Sequence, residues 1–335
     1  MDQVRETLHH FHYAYRTEQS YCQWILRYIR YCGDNTHPAQ LGVADIERFL
    51  SCLVVDGKVS ASTQKQALNA LVFLYHKVLD IRVDDKIAPV RSKKPLRLPT
   101  VLTKDEVVLL LQNMQGTHAL MAKLLYGAGL RLMECIRLRI QDVDFGQNQL
   151  YIRGGKGGKD RISLLPQELM DDFYRHIERV KMLHRQDVAE GFGSVYLPDA
   201  LERKYPNAAK ELGWQYVFPA RNRSTDPRSG EVRRHHILES GLQKAVKTAL
   251  RKSGITKRAS CNTLRHSFAT HLLENGTNIC MVQDLMGHSD VKTTEIYTHV
   301  MQKDIKMTQS PLDSLVFLSL YMILFILEIH NAYMG

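Results

Sequence analysis

Hydrophobic residues recur at helical spacing in the first 90 residues. Three stretches carry an apolar residue every three or four positions, which places those side chains on one face of a helix. The stretches are residues 21–29, 46–53 and 68–79. Helix start signals precede the first stretch, at Thr17 and Ser20, and the third, at Ser60. The pattern predicts a four-helix domain at residues 1–88, with its aromatic and leucine stripes in the core.

The helical pattern stops at residues 89–100, where three prolines interrupt it. Arg91, Lys93, Lys94 and Arg97 carry positive charge there without an acidic residue. The segment is predicted to be a basic linker. It would lie against phosphates if the domains on either side held one duplex, and it would otherwise be merely solvated.

Residues 101–308 mix helical and strand patterns and predict a second, larger domain. It opens with a capping box, Thr103 with Glu106, ahead of a helix. The further predicted elements are helices at 119–126, 130–138 and 166–183 and short strands at 143–153 and 161–165. A glycine and lysine turn at residues 154–159 separates the strands. The whole chain is therefore predicted to be mainly α, of α+β type, with a small β-sheet in a mixed α/β second domain.

An insertion is predicted at about residues 187–220, because regular periodicity gives way there to scattered glycine, proline and aromatic residues. Eleven Lys and Arg face three acidic residues between 221 and 258. Basic residues interleaved with aromatic ones suit contact with a nucleic-acid backbone and stacking on bases. The alternative is a surface insertion with solvated charges.

The C-terminal tail, residues 309–335, is unusually apolar. Residues 315–327 are apolar or aromatic apart from Ser319. That is 13 residues, whereas a membrane-spanning helix needs about 20. The tail is therefore predicted not to be a membrane anchor but a terminal helix that packs on its own chain or on a neighbouring subunit, with a tail left by gene decay as the alternative.

Composition narrows the class of protein further. The chain has 335 residues, of which 44% are hydrophobic and 24% charged, as in ordinary soluble proteins. Its net charge of +10 favours a polyanionic partner. The six cysteines form no Cys-x-x-Cys pair and the N-terminus has no apolar signal segment, so we expect free thiols and a cytoplasmic location. The sequence shows no metal-ligand set, and we expect no cofactor.

The residues that bear chemistry gather near the end of the second domain. Arg265, His288 and Tyr297 fall within 33 residues, and Arg131 lies upstream in a glycine-rich segment. Two arginines can bind the two non-bridging oxygens of one phosphodiester, and a phenol beside them can attack its phosphorus. Any one of these residues alone would more often be structural, so the weight rests on whole motifs occurring in order.

Those motifs are Gly-x-Gly-Leu-Arg-x-x-Glu, Gly-Lys-Gly-Gly-Lys-Asp-Arg, Thr-Leu-Arg-His-Ser-Phe-Ala-Thr and Leu-Met-Gly-His-Ser, followed by a tyrosine nine residues after the last histidine. Together they resemble the tyrosine recombinases. Among these the chain is most similar to the integron integrases, which excise and insert gene cassettes. That similarity rests on the insertion, on the run Ala-Ala-Lys-Glu-Leu-Gly-Trp-Gln-Tyr-Val-Phe-Pro from Ala208, on Arg-Arg-His-His from Arg233, and on Gln309-Ser-Pro-Leu.

The resemblance implies roles for the matching residues. Tyr297 would attack the phosphodiester and form a 3′-phosphotyrosine, while Arg131 and Arg265 clamp the phosphate. Lys156 would protonate the leaving 5′ oxygen, with Lys159 as its rival.

Three further roles follow from the same resemblance. His288 would hydrogen-bond the phosphate and Tyr297. Glu134 would orient an arginine or a histidine. His266 and His271 are expected to be structural. One position departs from the family pattern, because Asn262 stands where the family has a histidine three residues before the second arginine. Asparagine can donate to phosphate but cannot exchange a proton, so slowed chemistry is expected.

The resemblance also implies the partners. These are a bacterial cassette site, folded as a single strand into a hairpin, and a duplex integration site, bound by four subunits on two DNA sites. The implied contacts to unpaired bases come from Trp214, Pro227, His235 and His236. Three alternatives stay open: a Xer or phage-type tyrosine recombinase acting on duplex DNA only, a type IB topoisomerase, and a catalytically decayed DNA-binding protein.

Overall fold

The computed structural model describes residues 1–33, 36–83, 87–90, 98–154, 159–197 and 199–298. The chain divides into two compact units, Met1–Arg97 and Leu98–Gly335. The division falls inside the segment predicted as a linker. The tail at 309–335 and its apolar stretch lie outside the described residues.

The first unit is helical. Its helices are α1 (Asp2–His10), α2 (Tyr15–Cys32), α3 (Val43–Val55) and α4 (Ala61–Phe73), and α4 continues into a π-helical turn at Leu74–Val78. Ser60 caps α4 as predicted, since its hydroxyl accepts from the Thr63 amide at 3.3 Å. Helix α2 begins at Tyr15, before the predicted signal at Thr17 and Ser20.

Aromatic side chains hold the core of this unit together. Tyr28 and Tyr75 are buried, and their hydroxyls lie 3.0 Å apart. The Tyr75 hydroxyl also donates to the Pro38 carbonyl at 2.9 Å, so no polar atom of this pair is left without a partner in the core. Phe49 packs edge-on against Tyr28, with ring centroids 5.4 Å apart. The aromatic stripes predicted as core therefore are core.

The second unit opens with three helices and a small sheet. The helices are α5 (Lys104–Gln112), α6 (Gly116–Gly127) and α7 (Leu132–Arg137), and the strands are β1 (Val143–Asp144), β2 (Gln149–Ile152) and β3 (Arg161–Leu164). The sheet is antiparallel in the order β1-β2-β3, with Leu150 opposite Ser163. The predicted capping box of α5 is present, with both bonds between Thr103 and Glu106.

The stretch 143–153 was predicted as one strand and that was wrong, because a turn divides it into β1 and β2. One carboxylate oxygen of Asp144 accepts from the amides of Gly146 and Gln147, each at 2.9 Å. Asn148 adopts a left-handed conformation, with φ of 55°. Asp and Asn favour such turns because their short polar side chains bond the local backbone.

Helix α8 (Met170–Ala189) is longer than the predicted 166–183 and includes the first residues of the predicted insertion. Beyond it come α9 (Asp199–Lys204) and a two-stranded hairpin of β4 (Ser224–Thr225) and β5 (Val232–Arg233). A small separate core forms in this region. Its buried members are Val195, Leu197, Ala208, Ala209 and Tyr216, with Trp214 packed against them.

Four further helices of the second unit lie within the described residues: α10 (Glu239–Lys252), α11 (Cys261–Glu274), α12 (Ile279–Met286) and α13 (Lys292–Glu295). Helix α6 packs against α11, α10 and α8 in the main core. Helix α11 is buried along most of its length. The mainly α fold with a small sheet, expected from the sequence, is confirmed.

Candidate active site

Arg131 and Glu134 stand at the start of α7. The Glu134 carboxylate accepts from the backbone amide of Arg131 and from its Nη1, both at 2.7 Å. Nη2 of Arg131 donates to the Gly287 carbonyl at 2.9 Å. The sequence predicted that Glu134 orients an arginine or a histidine, and in the structure it contacts arginines.

Arg161 is a site residue to which the sequence reasoning gave no role. It stands at the first position of β3, and its Nη1 and Nη2 donate to the two oxygens of Glu134 at 2.8 and 2.7 Å. Its Nε donates to the Leu285 carbonyl at 2.9 Å. The signal that could have found it was its fixed place at the end of the motif Gly-Lys-Gly-Gly-Lys-Asp-Arg.

Glu134 is therefore held as a carboxylate between arginines. Burial alone would raise its pKa, but the hydrogen bonds and charge of Arg161, together with those of Arg131, outweigh burial and lower the pKa to about 2. Glu134 is ionised at neutral pH and fixes the positions of the guanidinium groups around it.

Arg265 lies on α11 and is only 4% exposed. Its Nη1 donates to the Gly129 carbonyl and its Nη2 to the Met286 carbonyl. Burial, and then the charge of Arg131, lower its pKa to about 9, so the guanidinium remains charged at neutral pH. A guanidinium has five N–H donors, so these two bonds leave donors for a phosphate.

His288 follows Gly287, the left-handed residue that ends α12. Its Nδ1 lies 2.9 Å from the Thr294 hydroxyl, and its Nε2 lies 3.4 Å from Nη2 of Arg265. Burial and the charges of Arg265 and Arg131 lower the pKa of His288 to about 4. The ring is therefore neutral at pH 7.

Tyr297 lies beside these residues and is only 3% exposed. Burial raises its pKa, although Arg265 and Arg131 act in the opposite sense. The predicted hydrogen bond between His288 and Tyr297 is wrong for this structure: the two rings stack, with centroids 6.2 Å apart and planes at 18°. The Tyr297 hydroxyl instead lies 2.9 Å from Nδ1 of His266.

His266 was expected to be structural, yet it contacts the hydroxyl of the predicted nucleophile. The signal available in the sequence was its place directly after Arg265. His271, expected to be structural as well, is buried and lies 2.9 Å from the Tyr126 hydroxyl through its Nδ1.

The remaining predicted catalytic positions are Asn262, Lys156 and Lys159. Asn262 is exposed in the first turn of α11. Lys159 is exposed at the end of the hairpin turn, and Lys156 lies outside the described residues. Across the base of that turn, Asp160 accepts from the Gly154 amide at 2.8 Å. Lys156, with Lys159 as its rival, stays the predicted general acid.

Comparison with known proteins shows which family the chain belongs to. Residues 100–304 match the Phage integrase family, and residues 1–85 match the N-terminal SAM-like domain of phage integrases. The chain is 49% identical over 317 residues to an integrase/recombinase of Escherichia coli, covering 94% of this chain and 93% of that protein. The chain belongs to the tyrosine recombinase family. It is a site-specific recombinase.

A more distant relative agrees with this assignment, and a solved structure is similar in fold. The recombinase is 32% identical over 299 residues to the tyrosine recombinase XerA of Thermococcus kodakarensis, covering 88% of each chain. Its fold is similar to that of a lambda integrase dimer bound to a COC' core site, with a TM-score of 0.54, 17% identity and coverage of 88% of this chain and 93% of that one.

Ion pairs of buried Asp187 hold the segment that follows the insertion, residues 221–234, against α8 in the recombinase. Asp187, on α8, is buried and accepts from Arg234 and from Arg223. Arg233 is buried as well and pairs with Glu231 at 2.6 Å. The sequence predicts the basic run from 221 to 258 to be a nucleic-acid surface or solvated charge, but these three arginines each pair with a carboxylate of the protein.

The residues predicted to grip unpaired bases form two small groups. Trp214 is half-buried, and Arg139 lies over both Trp214 and Tyr216, at 5.7 and 4.6 Å from the ring centroids. The His236 ring packs edge-on against Tyr216 at 5.3 Å, and burial lowers its pKa, so it is uncharged at pH 7.

Pro227 and His235 form the second group, around Asp226. Pro227 is exposed next to buried Asp226, in the turn between β4 and β5. Nε2 of His235 lies 3.8 Å from the Asp226 carboxylate. The predicted contacts Arg91, Lys93 and Lys94 lie outside the described residues.

Among the described residues, no three His, Cys, Asp or Glu side chains are grouped so that they could hold a metal ion. No helix in the described ranges combines the length and apolar character needed to cross a membrane.

Proposed function

We propose that this recombinase cuts and rejoins DNA through a covalent bond to Tyr297, and that its substrates are those of an integron integrase. The observation that carries the chemistry is the cluster at one place in the fold: Arg131 and Arg265 contact the same short segment, Met286–Gly287, and Glu134 contacts Arg131 directly. The cluster has a phenol, an imidazole and an excess of positive charge, which is what attack on a phosphodiester requires.

In this reaction the phenol oxygen of Tyr297 bonds to phosphorus and the bond to the 5′ oxygen breaks. Lys156, or its rival Lys159, gives a proton to that oxygen. Arg131 and Arg265 stabilise the negative charge that develops on the phosphate, and neutral His288 can donate a hydrogen bond to it. The phosphotyrosine conserves the bond energy, so another strand's 5′ hydroxyl can reverse the step.

The integron part of the proposal rests on the insertion. It carries half-buried Trp214 and buried Tyr216, on which His236 packs, and Asp187 holds the segment just after it to α8. Flat faces of this kind can stack with bases that stand out from a folded strand. We infer that Trp214, Pro227, His235 and His236 contact such bases. Arg91, Lys93 and Lys94 would contact phosphates.

We further propose that four copies of the chain act together on two DNA sites, in the bacterial cytoplasm. One site is a single strand of a cassette site folded into a hairpin, and the other is the duplex integration site. In this scheme residues 1–88 and 101–308 form the two domains that hold DNA, with residues 89–100 between them.

Covalent trapping tests the proposal. Purified protein is mixed with a nicked, folded single strand of an integron cassette site, and a denaturing gel is read for a protein–DNA adduct. We expect an adduct that Tyr297→Phe abolishes. Tyr126→Phe is the matched control, because Tyr126 is another tyrosine bonded to a histidine of α11 at 2.9 Å. A strand that lacks its unpaired bases should give less adduct.

A second candidate function has an observation in its favour. Xer recombinases match this chain over most of its length, including the 32% identical XerA of T. kodakarensis. A Xer or phage-type enzyme would form the adduct on a nicked duplex and not on the folded strand. DNA binding without any adduct would instead support the decayed DNA-binding protein, and relaxation of a supercoiled plasmid of unrelated sequence would support the topoisomerase.

A further inference from the structure

His266 contacts the reacting atom of Tyr297. Its Nδ1 lies 2.9 Å from the Tyr297 hydroxyl, and the two ring centroids are 5.6 Å apart. The contact lies inside the protein, since Tyr297 is only 3% exposed. His266 follows Arg265 on α11, so one turn of one helix presents both a phosphate-binding cation and an imidazole.

The other candidate proton acceptors of the site are directed elsewhere. Nδ1 of His288 contacts Thr294 and its Nε2 faces Arg265. Asn262 is exposed, and an amide cannot accept a proton at neutral pH. Within the described ranges, His266 is the one residue with a hydrogen bond to the Tyr297 hydroxyl.

We propose that His266 is a catalytic residue that takes the proton of Tyr297 during strand cleavage and returns it during religation. The proposal rests on the proposed function, because it assigns a base to that same reaction. In this protein His266 would supply the proton acceptor that Asn262 cannot be.

The step balances without any further reactant. As the Tyr297 oxygen bonds to phosphorus, its proton passes to Nδ1 of His266, which becomes an imidazolium. The bond from phosphorus to the 5′ oxygen breaks, and that oxygen takes a proton from Lys156 or Lys159. Nothing is oxidised or reduced. Religation runs the same transfers backwards.

The surroundings of His266 suit this role. Burial and the charge of Arg265 lower its pKa, so the ring is neutral and can accept a proton before DNA binds. The charged or titratable groups that face it are Arg265 on its own helix and Tyr297 and His288 on the following segment. A bound phosphate adds negative charge beside Arg265, which favours the imidazolium as the phenol attacks.

The test is single-turnover cleavage of a nicked suicide substrate by His266→Gln. The probes are the folded cassette strand and a nicked duplex from the DNA that borders the gene of this chain. We expect the rate to fall by roughly 10² to 10⁴, the usual contribution of a general base. We also expect the pH–rate profile to lose the limb in which a base must be deprotonated.

His271→Gln is the matched control. His271 lies on the same helix and its Nδ1 also lies 2.9 Å from a tyrosine hydroxyl, that of Tyr126, away from the reacting phenol. We expect His271→Gln to keep the wild-type pH–rate profile even where it destabilises the fold. His266→Asn provides a second variant that can bond the hydroxyl without taking its proton.

A substrate with sulfur in place of the leaving 5′ oxygen distinguishes a defect in the general base from a defect in the general acid. Sulfur leaves without a proton, so the defect of His266→Gln should persist while that of the general-acid lysine variant disappears. The cost of His266→Gln should also shrink in an Asn262→His background, because both changes act on one step.

Three outcomes would overturn the proposal. If both His266→Gln and His266→Asn cleave at the wild-type rate or faster, then His266 only holds Tyr297 in place. Full recovery of the cleavage rate of both variants on the sulfur substrate would mean that His266 acts on the leaving 5′ oxygen and not on Tyr297. A wild-type protein that forms no adduct on either probe would contradict the proposed function as well. If the wild type is active, a failure of these predictions concerns the role of His266 alone.

Discussion

Arg161 places both terminal nitrogens on the carboxylate of Glu134, at 2.8 and 2.7 Å. The same carboxylate accepts from Arg131 at 2.7 Å and lies 3.7 Å from Nη1 of Arg265. Three guanidinium groups thus surround one carboxylate, and the cluster keeps an excess of positive charge. We conclude that Glu134 neutralises enough charge for the fold to hold the site together, while the excess remains available to a phosphate.

Glu134→Gln is expected to destabilise the protein by about 3–5 kcal/mol, because it removes the only charge that compensates these buried arginines within the described cluster. The measurement is urea unfolding at pH 7. Glu178→Gln is the control: Glu178 pairs with Lys181 at 2.6 Å but is 63% exposed, so its loss should cost less than 1 kcal/mol, roughly the worth of a surface pair. Equal costs for the two variants would contradict this account.

Stability should also fall in acid because of Glu134. Its pKa is lowered from the ordinary 4.5 to about 2 in the folded protein. A lowered folded-state pKa means that the contribution is fully present above about 4.5 and is lost as the pH falls towards 2; it is on the order of 3 kcal/mol. Urea unfolding of the wild type and Glu134→Gln should therefore give a difference that narrows between pH 4.5 and 2. A difference that stays constant over this range would argue against the pairing.

Asn262→His is expected to raise the rate of adduct formation by about 10²-fold, the lower end of what general acid–base groups contribute. The physical reason is that histidine both donates to phosphate and exchanges a proton at neutral pH, whereas asparagine only donates. Single-turnover cleavage of the nicked folded strand measures it, with Asn262→Gln as a polar control that should give no gain. If Asn262→His does not raise the rate of adduct formation, then Asn262 does not slow this enzyme.

Asp187→Asn is expected to weaken binding of the folded strand at least tenfold, which corresponds to about 1.4 kcal/mol, while leaving adduct formation on duplex DNA unchanged. Asp187 is buried between Arg223 and Arg234, so losing its charge releases from α8 the segment after the insertion, in which Pro227 lies. Fluorescence anisotropy with labelled folded and duplex DNA measures both. Glu190→Gln removes a more exposed partner of Arg223 and should have little effect. Equal losses on both DNAs would point to general unfolding instead.

The sequence predicted those parts of the fold that local pattern determines. Helix α4 begins after Ser60 and α5 after Thr103, because a hydroxyl side chain there bonds a free amide of the first turn. Helix α8 runs past its predicted end because nothing in its sequence stops it before Gly191. The turn inside 143–153 was missed because the apolar residues on its two sides were assigned to one strand, although Asp144, Gly146 and Asn148 between them are residues that favour turns.

The contacts within the active site could not be predicted from local sequence pattern alone. Motifs identified Arg131, Arg265, His288 and Tyr297, and the fold brings these together. Which histidine contacts Tyr297 depends on how α11 packs against the segment after α12. The spacing of residues in the sequence does not predict this packing. The same holds for Arg223 and Arg234: their partner Asp187 lies on α8, far from them along the chain.

Gly129→Ala is expected to abolish detectable adduct formation through the position of Arg265. Gly129 has φ of +61°, and a Cβ there would lie 2.4 Å from the Phe268 ring on α11. The Gly129 carbonyl also accepts from Arg265, so a shift of either segment separates the guanidinium from its acceptor. We expect overpacking of about 1–3 kcal/mol in addition to the cost of the left-handed backbone.

Gly116→Ala separates these two costs. Gly116 has φ of +60°, but a Cβ there would meet no atom within 4 Å. It should therefore show only the backbone cost and retain cleavage activity, whereas Gly129→Ala should lose activity as well as stability. Thermal denaturation and adduct formation are measured for both variants. If Gly129→Ala cleaves as fast as Gly116→Ala, then the contact between Gly129 and Arg265 does not position the arginine for the phosphate.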